Sequence, residues 1–323
     1  MRAARIAALT IAAAAGCPAA ADIILIPPVD CTLGDDCFIQ QYVDHDAGPD
    51  ASDFRCAALT YDGHSGTDFA VPTHEDMARG VDVIAAAPGT VRGIRDGMQD
   101  KVFTPEDAAA LDGRDCGNGV AIDHADGWST QYCHLKRGSV TVRSGDTVAA
   151  GTVLGQIGLS GRASFPHVHL TVRKDGETVD PFDPDGQITC GAPSDDTLWD
   201  APIAYQAGGL LDVGFADRVP EYDAIKAGEA ARVDLPADAA ALVIFGYAFG
   251  SQAGDEMRLS IEGPEGTVID ETVTLERTQA QVFRAVGRRL RAEAWATGSY
   301  RGTVSMIRAG EEISTMQETI SIR

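Results

Sequence analysis

The sequence predicts a mainly β chain, built as two successive all-β units. Three observations carry this reading. Short runs of β-branched and aromatic residues recur along most of the chain, separated by Gly, Asp and Pro turns. Only one stretch, Thr104 to Leu111, carries a full set of helix-start signals. Every histidine and cysteine lies at or before Cys190, and composition shifts there, so a chemistry-bearing first part precedes a part without such residues. The 323 residues suffice for two cores.

The chain opens with Met1, Arg2 and Arg5, an apolar run from Ile6 to Ala15, and Ala19-Ala20-Ala21. That order marks residues 1–21 as a secretory signal peptide cut after Ala21. The apolar run is too short for a membrane-spanning helix. Gly16-Cys17 offers a lipoprotein alternative, but Ala14 stands where such signals usually carry Leu, which favours a soluble secreted or periplasmic product.

Residues 22–57 read as an N-terminal arm rich in turn material, such as Pro27-Pro28 and Ala47-Gly48-Pro49-Asp50. Within it only Phe38 to Val43 can pack as a short element. His45, between Asp44 and Asp46, reads as a solvated turn residue rather than a metal ligand. From 58 to 190 the pattern is β: Thr67–Val71, Asp82–Ala86, Gly89–Ile94, Gly119–His124, Ser129–Leu135, Thr147–Val148 and Val168–Arg173. Val140 to Gly158 reads as a meander with glycine corners. Two inserts interrupt it. Thr73–Gly80 carries His74, whose charged neighbours favour exposure over a second metal site. In Asp96–Asp115, Thr104 suits an N-cap, Pro105 the first helical position and Asp107 a capping box.

Residues 191–219 read as a linker beginning Gly191-Ala192-Pro193-Ser194-Asp195, with Trp199 and Tyr205 available to pin it down. From 220 to 323 strands return at Ala241–Phe249, Met257–Glu262, Thr267–Thr274, Val282–Leu290, Gly298–Arg308 and Glu312–Ile322. Their spacing suggests a small antiparallel β-sandwich of immunoglobulin-like type. It would serve as a spacer, or dock to a partner or to cell wall.

The formal net charge is −22; the first 21 residues hold two basic residues and no acid, so the remainder carries −24. Such a field argues against nucleic acid and anionic membrane surfaces as partners. Removing Cys17 leaves six cysteines, an even set that suggests disulfides in an oxidising compartment. Cys31 and Cys37 can close a local loop, Cys116 and Cys133 flank a hairpin turn, and Cys56 and Cys190 remain; six cysteines allow fifteen pairings. No CxxC pair is present, which argues against a cysteine zinc site.

Chemistry concentrates in three motifs. His64 and Asp68 stand four apart in Gly63–Pro72, a glycine-flanked segment in which both side chains can face one point. His134 ends Tyr132-Cys133-His134-Leu135. His167 and His169 are two apart in Pro166-His167-Val168-His169-Leu170, so in a strand they share a face. Any one motif is weak evidence; three in one β domain are not. Imidazole and carboxylate are good zinc ligands, and three protein ligands leave the open position of a catalytic site.

The ordered blocks GHSGTDFAVP, AAAPGTV, CGNGVAIDHADGWSTQYCHL, SGDTVAAGTVLGQIGLSG and FPHVHL strongly resemble the LytM/lysostaphin-type zinc metallopeptidase family, over about Tyr61 to Pro181. The resemblance implies a LytM-type antiparallel β catalytic domain, Zn²⁺ held by His64, Asp68 and His169, and His134 and His167 as the catalytic pair. It implies a zinc endopeptidase cutting peptide cross-links of peptidoglycan. Two alternatives stand beside it, a non-catalytic activator of other wall hydrolases and a peptidase of protein substrates. The chain departs from the family at Val168 and Leu170-Thr171, at the two inserts, and at Cys133 beside His134. No HExxH helix is present, so histidine must take the part of the usual glutamate base.

Overall fold

In the computed structural model, residues 22–188, 190 and 196–323 are described. The expected signal peptide with its cleavage point, Cys17, and the first five residues of the expected linker lie outside the described residues.

The first unit is built on an antiparallel sheet of eight strands. In chain order its strands, and those of a small ladder beside it, are β1 (Phe38–Gln41), β2 (Thr67–Ala70), β3 (Asp82–Ile84), β4 (Gly89–Arg95), β5 (Asn118–Asp123), β6 (Trp128–Leu135), β7 (Thr147–Val148), β8 (Val153–Gln156), β9 (His167–Lys174) and β10 (Glu177–Val179). The order across the sheet is β1-β2-β9-β6-β5-β4-β7, with β10 also on β9, while β3 pairs with β8. Alternation fixes the faces. Phe69, Val168, Leu170, Val172 and Tyr132 are buried in one apolar cluster that also takes Val83, Ile122, Leu135 and Leu154. The expected arm is part of this sheet, since Ile39 lies opposite Phe69 and Gln41 opposite Asp68.

Both inserts are ordered. Helix α1 (His74–Arg79) starts from Thr73, which forms a capping box with Asp76. In the longer insert, Pro105–Asp107 makes a 3₁₀ turn that runs into α2 (Ala108–Leu111), with the Thr104–Asp107 capping box in place. Three disulfides close: Cys31–Cys37, Cys56–Cys190 and Cys116–Cys133.

The second unit comprises β11 (Gly209–Ala216), α3 (Tyr222–Ala227), β12 (Asp234–Leu235), β13 (Ala241–Ser251), β14 (Glu256–Gly263), β15 (Gly266–Thr274), β16 (Gln279–Arg289), β17 (Gly298–Arg308) and β18 (Glu311–Ile322). A sheet ordered β11-β13-β16 packs on one ordered β12-β18-β17-β14-β15. Their shared core includes Phe215, Ile244, Leu259, Val304 and Ile320. β11 falls within the stretch expected as linker. Its alternating Leu211, Val213 and Phe215 are buried, and it pairs along β13. A third apolar cluster joins the units: Phe38 and Ala70 of the first pack with Leu211, Ile225, Phe245 and Phe249 of the second. His74, expected on an exposed surface, is half-buried at this seam near Lys226 and Asp223 of α3.

Candidate functional site

The site forms where β2, β9 and β6 run side by side. Asp68 stands directly opposite His169, and Ala70 opposite His167, across the β2–β9 ladder. Directly opposed residues of an antiparallel pair project to the same face, so Asp68, His167 and His169 share one side of the sheet. Gly66 permits the approach that completes it. A Cβ there would lie 2.6 Å from His169 Nε2 and 2.6 Å from the Leu170 carbonyl oxygen. His64, in the loop before β2, brings its Nε2 to 3.1 Å from Asp68 Oδ1 and 3.1 Å from His169 Nδ1, while His169 Nδ1 lies 2.9 Å from Asp68 Oδ1.

Each of these three residues offers one ligand atom to a common point. Ligands on a tetrahedral zinc at about 2.0–2.1 Å stand roughly 3.3 Å apart, so the observed separations suit one small ion. The hydrogen-bond partners select the lone pairs. His64 Nδ1 donates to the Tyr42 carbonyl at 2.6 Å, which leaves Nε2 unprotonated toward the centre. His169 Nε2 lies 3.0 Å from Thr171 Oγ1, which accepts its proton and leaves Nδ1 facing inward. Three acceptor atoms then converge with no donor among them. Such an arrangement is unfavourable unless a cation lies between them. Burial alone would raise the Asp68 carboxyl, yet positive charge at the surrounding imidazoles, His64 first, would hold it well below the usual carboxylate range, and the carboxylate in turn raises His64 above its ordinary value; a cation at the centre would take the place of that proton. The residues therefore fit a zinc ion.

His134 and His167 lie beside this trio, with ring centroids 4.7 Å apart. His167 Nε2 is 3.6 Å from Asp68 Oδ1. His134 Nδ1 donates to the Ser160 carbonyl at 2.8 Å, and His167 Nδ1 to the Phe165 carbonyl at 2.8 Å, so each ring keeps Nε2 free as a base. Burial pushes both imidazoles below their ordinary value, and neighbouring histidines push His134 down further, well below the usual range. Both are neutral at neutral pH.

A bulge aims His134. Asn118 pairs with Leu135 and Gly119 with Cys133, so His134 is the extra residue on β6. It takes the left-handed conformation, φ 66°, which a non-glycine residue adopts only where its surroundings enforce it. The Cys116–Cys133 bridge and a 2.8 Å bond from the His134 amide to the Cys116 carbonyl are the enforcement.

Sequence reasoning singled out all five residues that the structure brings together. It missed their supports. Tyr42, Ser160 and Phe165 act through backbone carbonyls, and no residue type announces a carbonyl. Thr171 was detectable, because it lies two residues beyond His169 on the same strand face. Tyr61 was also missed; its half-exposed ring lies 4.5 Å from that of His64. His45 is not solvated. Its side chain is largely buried, with Nε2 2.8 Å from Asp180 Oδ2. Asp44 accepts amides of Gly63, Ser52 and Asp46, so neither residue reaches toward the three-residue centre.

Residues 62–181 match Peptidase family M23. The DD-carboxypeptidase/endopeptidase Mpg of Neisseria meningitidis serogroup B is 32% identical over 120 residues, covering 36% of this chain and 22% of that protein. The peptidoglycan DD-endopeptidase ShyA of Vibrio cholerae is 31% identical over 116 residues, covering 36% of this chain and 21% of its own. Among solved structures, a zinc containing peptidase from Vibrio cholerae aligns at 24% identity and TM-score 0.34, over 49% of this chain and 39% of that one. The chain spans about a fifth of the length of these curated relatives.

Proposed function

We propose, from the match of residues 62–181 to Peptidase family M23, that the chain is an exported zinc metalloendopeptidase hydrolysing peptide cross-links of peptidoglycan. The observation that carries the proposal is the convergence of His64 Nε2, Asp68 Oδ1 and His169 Nδ1, as acceptors only, beside two neutral imidazoles. Zinc held by these three would supply Lewis-acid polarisation of a peptide carbonyl and of water. The chain's own residues handle the protons. An imidazole held neutral by burial can accept the proton of the attacking water at Nε2 and return it to the leaving amine. His134 and His167 divide that task with stabilisation of the developing oxyanion, since an imidazole that has gained a proton becomes a donor. Their Nδ1 bonds to fixed carbonyls keep the Nε2 atoms aimed throughout.

The wall substrate is supported by the peptidoglycan endopeptidases among the relatives. Export to the periplasm or beyond is supported by three disulfides, which persist in oxidising compartments. Among the described residues no helix is long and apolar enough to cross a membrane.

The test is digestion of purified sacculi by the protein, with and without a zinc chelator, followed by identification of released fragments. Cross-link cleavage that vanishes on chelation and in His169→Ala is the expected result. Full activity of metal-stripped protein overturns the proposal. Bound zinc without cleavage would instead identify a non-catalytic wall protein.

A further inference from the structure

The second unit is acidic as a whole, but one stretch of it carries the opposite charge. Residues 277–301 hold six arginines and one glutamate, within a sequence whose carboxylates outnumber its cations 48 to 26. Among the described residues, some guanidinium groups find acids and others do not. Arg79, Arg92, Arg162, Arg218, Arg258, Arg308 and Arg323 find them. Arg288, Arg289 and Arg291 do not: among the described residues no carboxylate stands within ion-pair distance of any of them.

These three arginines line one cavity of about 620 Å³. It opens between the turn joining β14 to β15 and the segment that follows β16. Trp295 and Tyr300 form its apolar wall, and Glu265 is the one acid on its lining. The walls are held in place. Trp295 donates its amide to the Ala237 carbonyl and its Nε1 to the Ala239 carbonyl, both at 2.8 Å, and the Tyr300 hydroxyl donates to Ala296 at 2.8 Å. With its Nε1 occupied, the partly exposed Trp295 ring presents carbon surface, while the Tyr300 ring is almost wholly buried in the core. A fixed apolar wall beside three free guanidinium forks suits a ligand with a carboxylate on a sugar- or peptide-like body.

We propose that this cavity binds free peptide carboxylates of uncross-linked peptidoglycan and so anchors the enzyme to its substrate. The ligand class rests on the peptidoglycan reading above; the anion site itself does not. The anchor has a physical purpose. A chain of net charge −22 is repelled at long range by an anionic polymer. A local cluster of unpaired cations reverses that repulsion over about one Debye length, about 8 Å at physiological salt, and sets which face approaches.

The test is cosedimentation of the full chain with purified sacculi in the presence of a zinc chelator, so that binding is read without cutting. The triple variant Arg288→Gln/Arg289→Gln/Arg291→Gln is compared with Arg143→Gln, an exposed arginine of the first unit. The triple variant is expected to bind at least fivefold more weakly, and Arg143→Gln like the parent. Methyl-esterified sacculi should release the parent to the same degree. With zinc restored, the triple variant should cleave a short soluble cross-linked peptide at the parental rate. Unaltered sacculus binding by the triple variant, or by the parent on esterified sacculi, overturns the anchor even if cleavage is seen. So does loss of polyphosphate binding with sacculus binding intact, which would assign the cavity to phosphate polymers. Arginine-dependent binding in a protein that cuts nothing would leave the anchor standing and remove the hydrolase reading.

Discussion

Thr171 and Tyr42 decide which nitrogen His169 and His64 offer to an ion, without themselves reaching it. Losing such an orienting partner typically costs ten- to a hundredfold in metal affinity. Thr171→Val keeps shape and burial, so its zinc affinity should fall by about that factor while the thermal midpoint stays close to the parent's; competition with a fluorescent chelator measures the first and calorimetry the second. Gly66→Ala tests the close approach. Its methyl would meet both the His169 ring and the Leu170 carbonyl, and backbone cannot yield as a flexible side-chain tip can. Zinc content near zero in a folded Gly66→Ala protein is the expected outcome. At this scale the site was legible wherever a side chain carries the chemistry, because His64–Asp68 and His167–His169 are local spacings. It was illegible at Tyr42, Ser160 and Phe165, whose contribution is a carbonyl placed by distant pairing.

Among the elements, β6 carries the most consequential irregularity. Its extra residue, His134, sits in a conformation that costs of order 1–3 kcal/mol if unsupported. The Cys116–Cys133 bridge, with a sequence separation of 17, is anchored at the residue immediately before it. Replacing both cysteines with serine should destabilise the fold by about 2–4 kcal/mol, read by denaturant titration. On the proposed function it should also lower kcat more than it raises KM, with zinc stoichiometry unchanged, because His134 is there assigned to proton transfer and not to the metal. The longer insert supports the same residue from outside. Asp100 accepts the amides of Arg137 and Leu159, and the Phe103 amide donates to Ala163, so the insert lies along the loop that presents the Ser160 carbonyl. Thr104-Pro105 and Asp107 made the insert's turn readable. β11 was hidden in a stretch whose Gly191-Ala192-Pro193-Ser194-Asp195 opening marks a linker, although Leu211, Val213 and Phe215 alternate, and its pairing along β13 is what makes it a strand.

For the molecule as a whole, the arm and the second unit are both bound to the first. Cys56–Cys190 ties the arm to the far end of the first unit, and His45 bonds Asp180 beside it. Burial would lower the His45 pKa, but the bond and charge of Asp180, with Asp183 and Asp44 nearby, raise it above the ordinary 6.5. A raised folded pKa contributes stability that is complete below the unfolded value and is lost as pH climbs through the folded one. The stability difference between parent and His45→Gln should therefore shrink from pH 6 to pH 8, as followed by unfolding midpoints across that range. The seam was beyond the sequence, since Phe38 and Phe249 meet at 4.6 Å across more than two hundred residues.

β1 therefore has neighbours at both ends of the chain. It borders Ala70 on one side, rests on Phe249, and is bonded through Gln40 to Ala280 and Gln281. Tyr42, whose carbonyl holds His64, follows one residue after it. The seat of that strand, and with it the carbonyl that orients His64, is thus finished only after translation has passed Gln281.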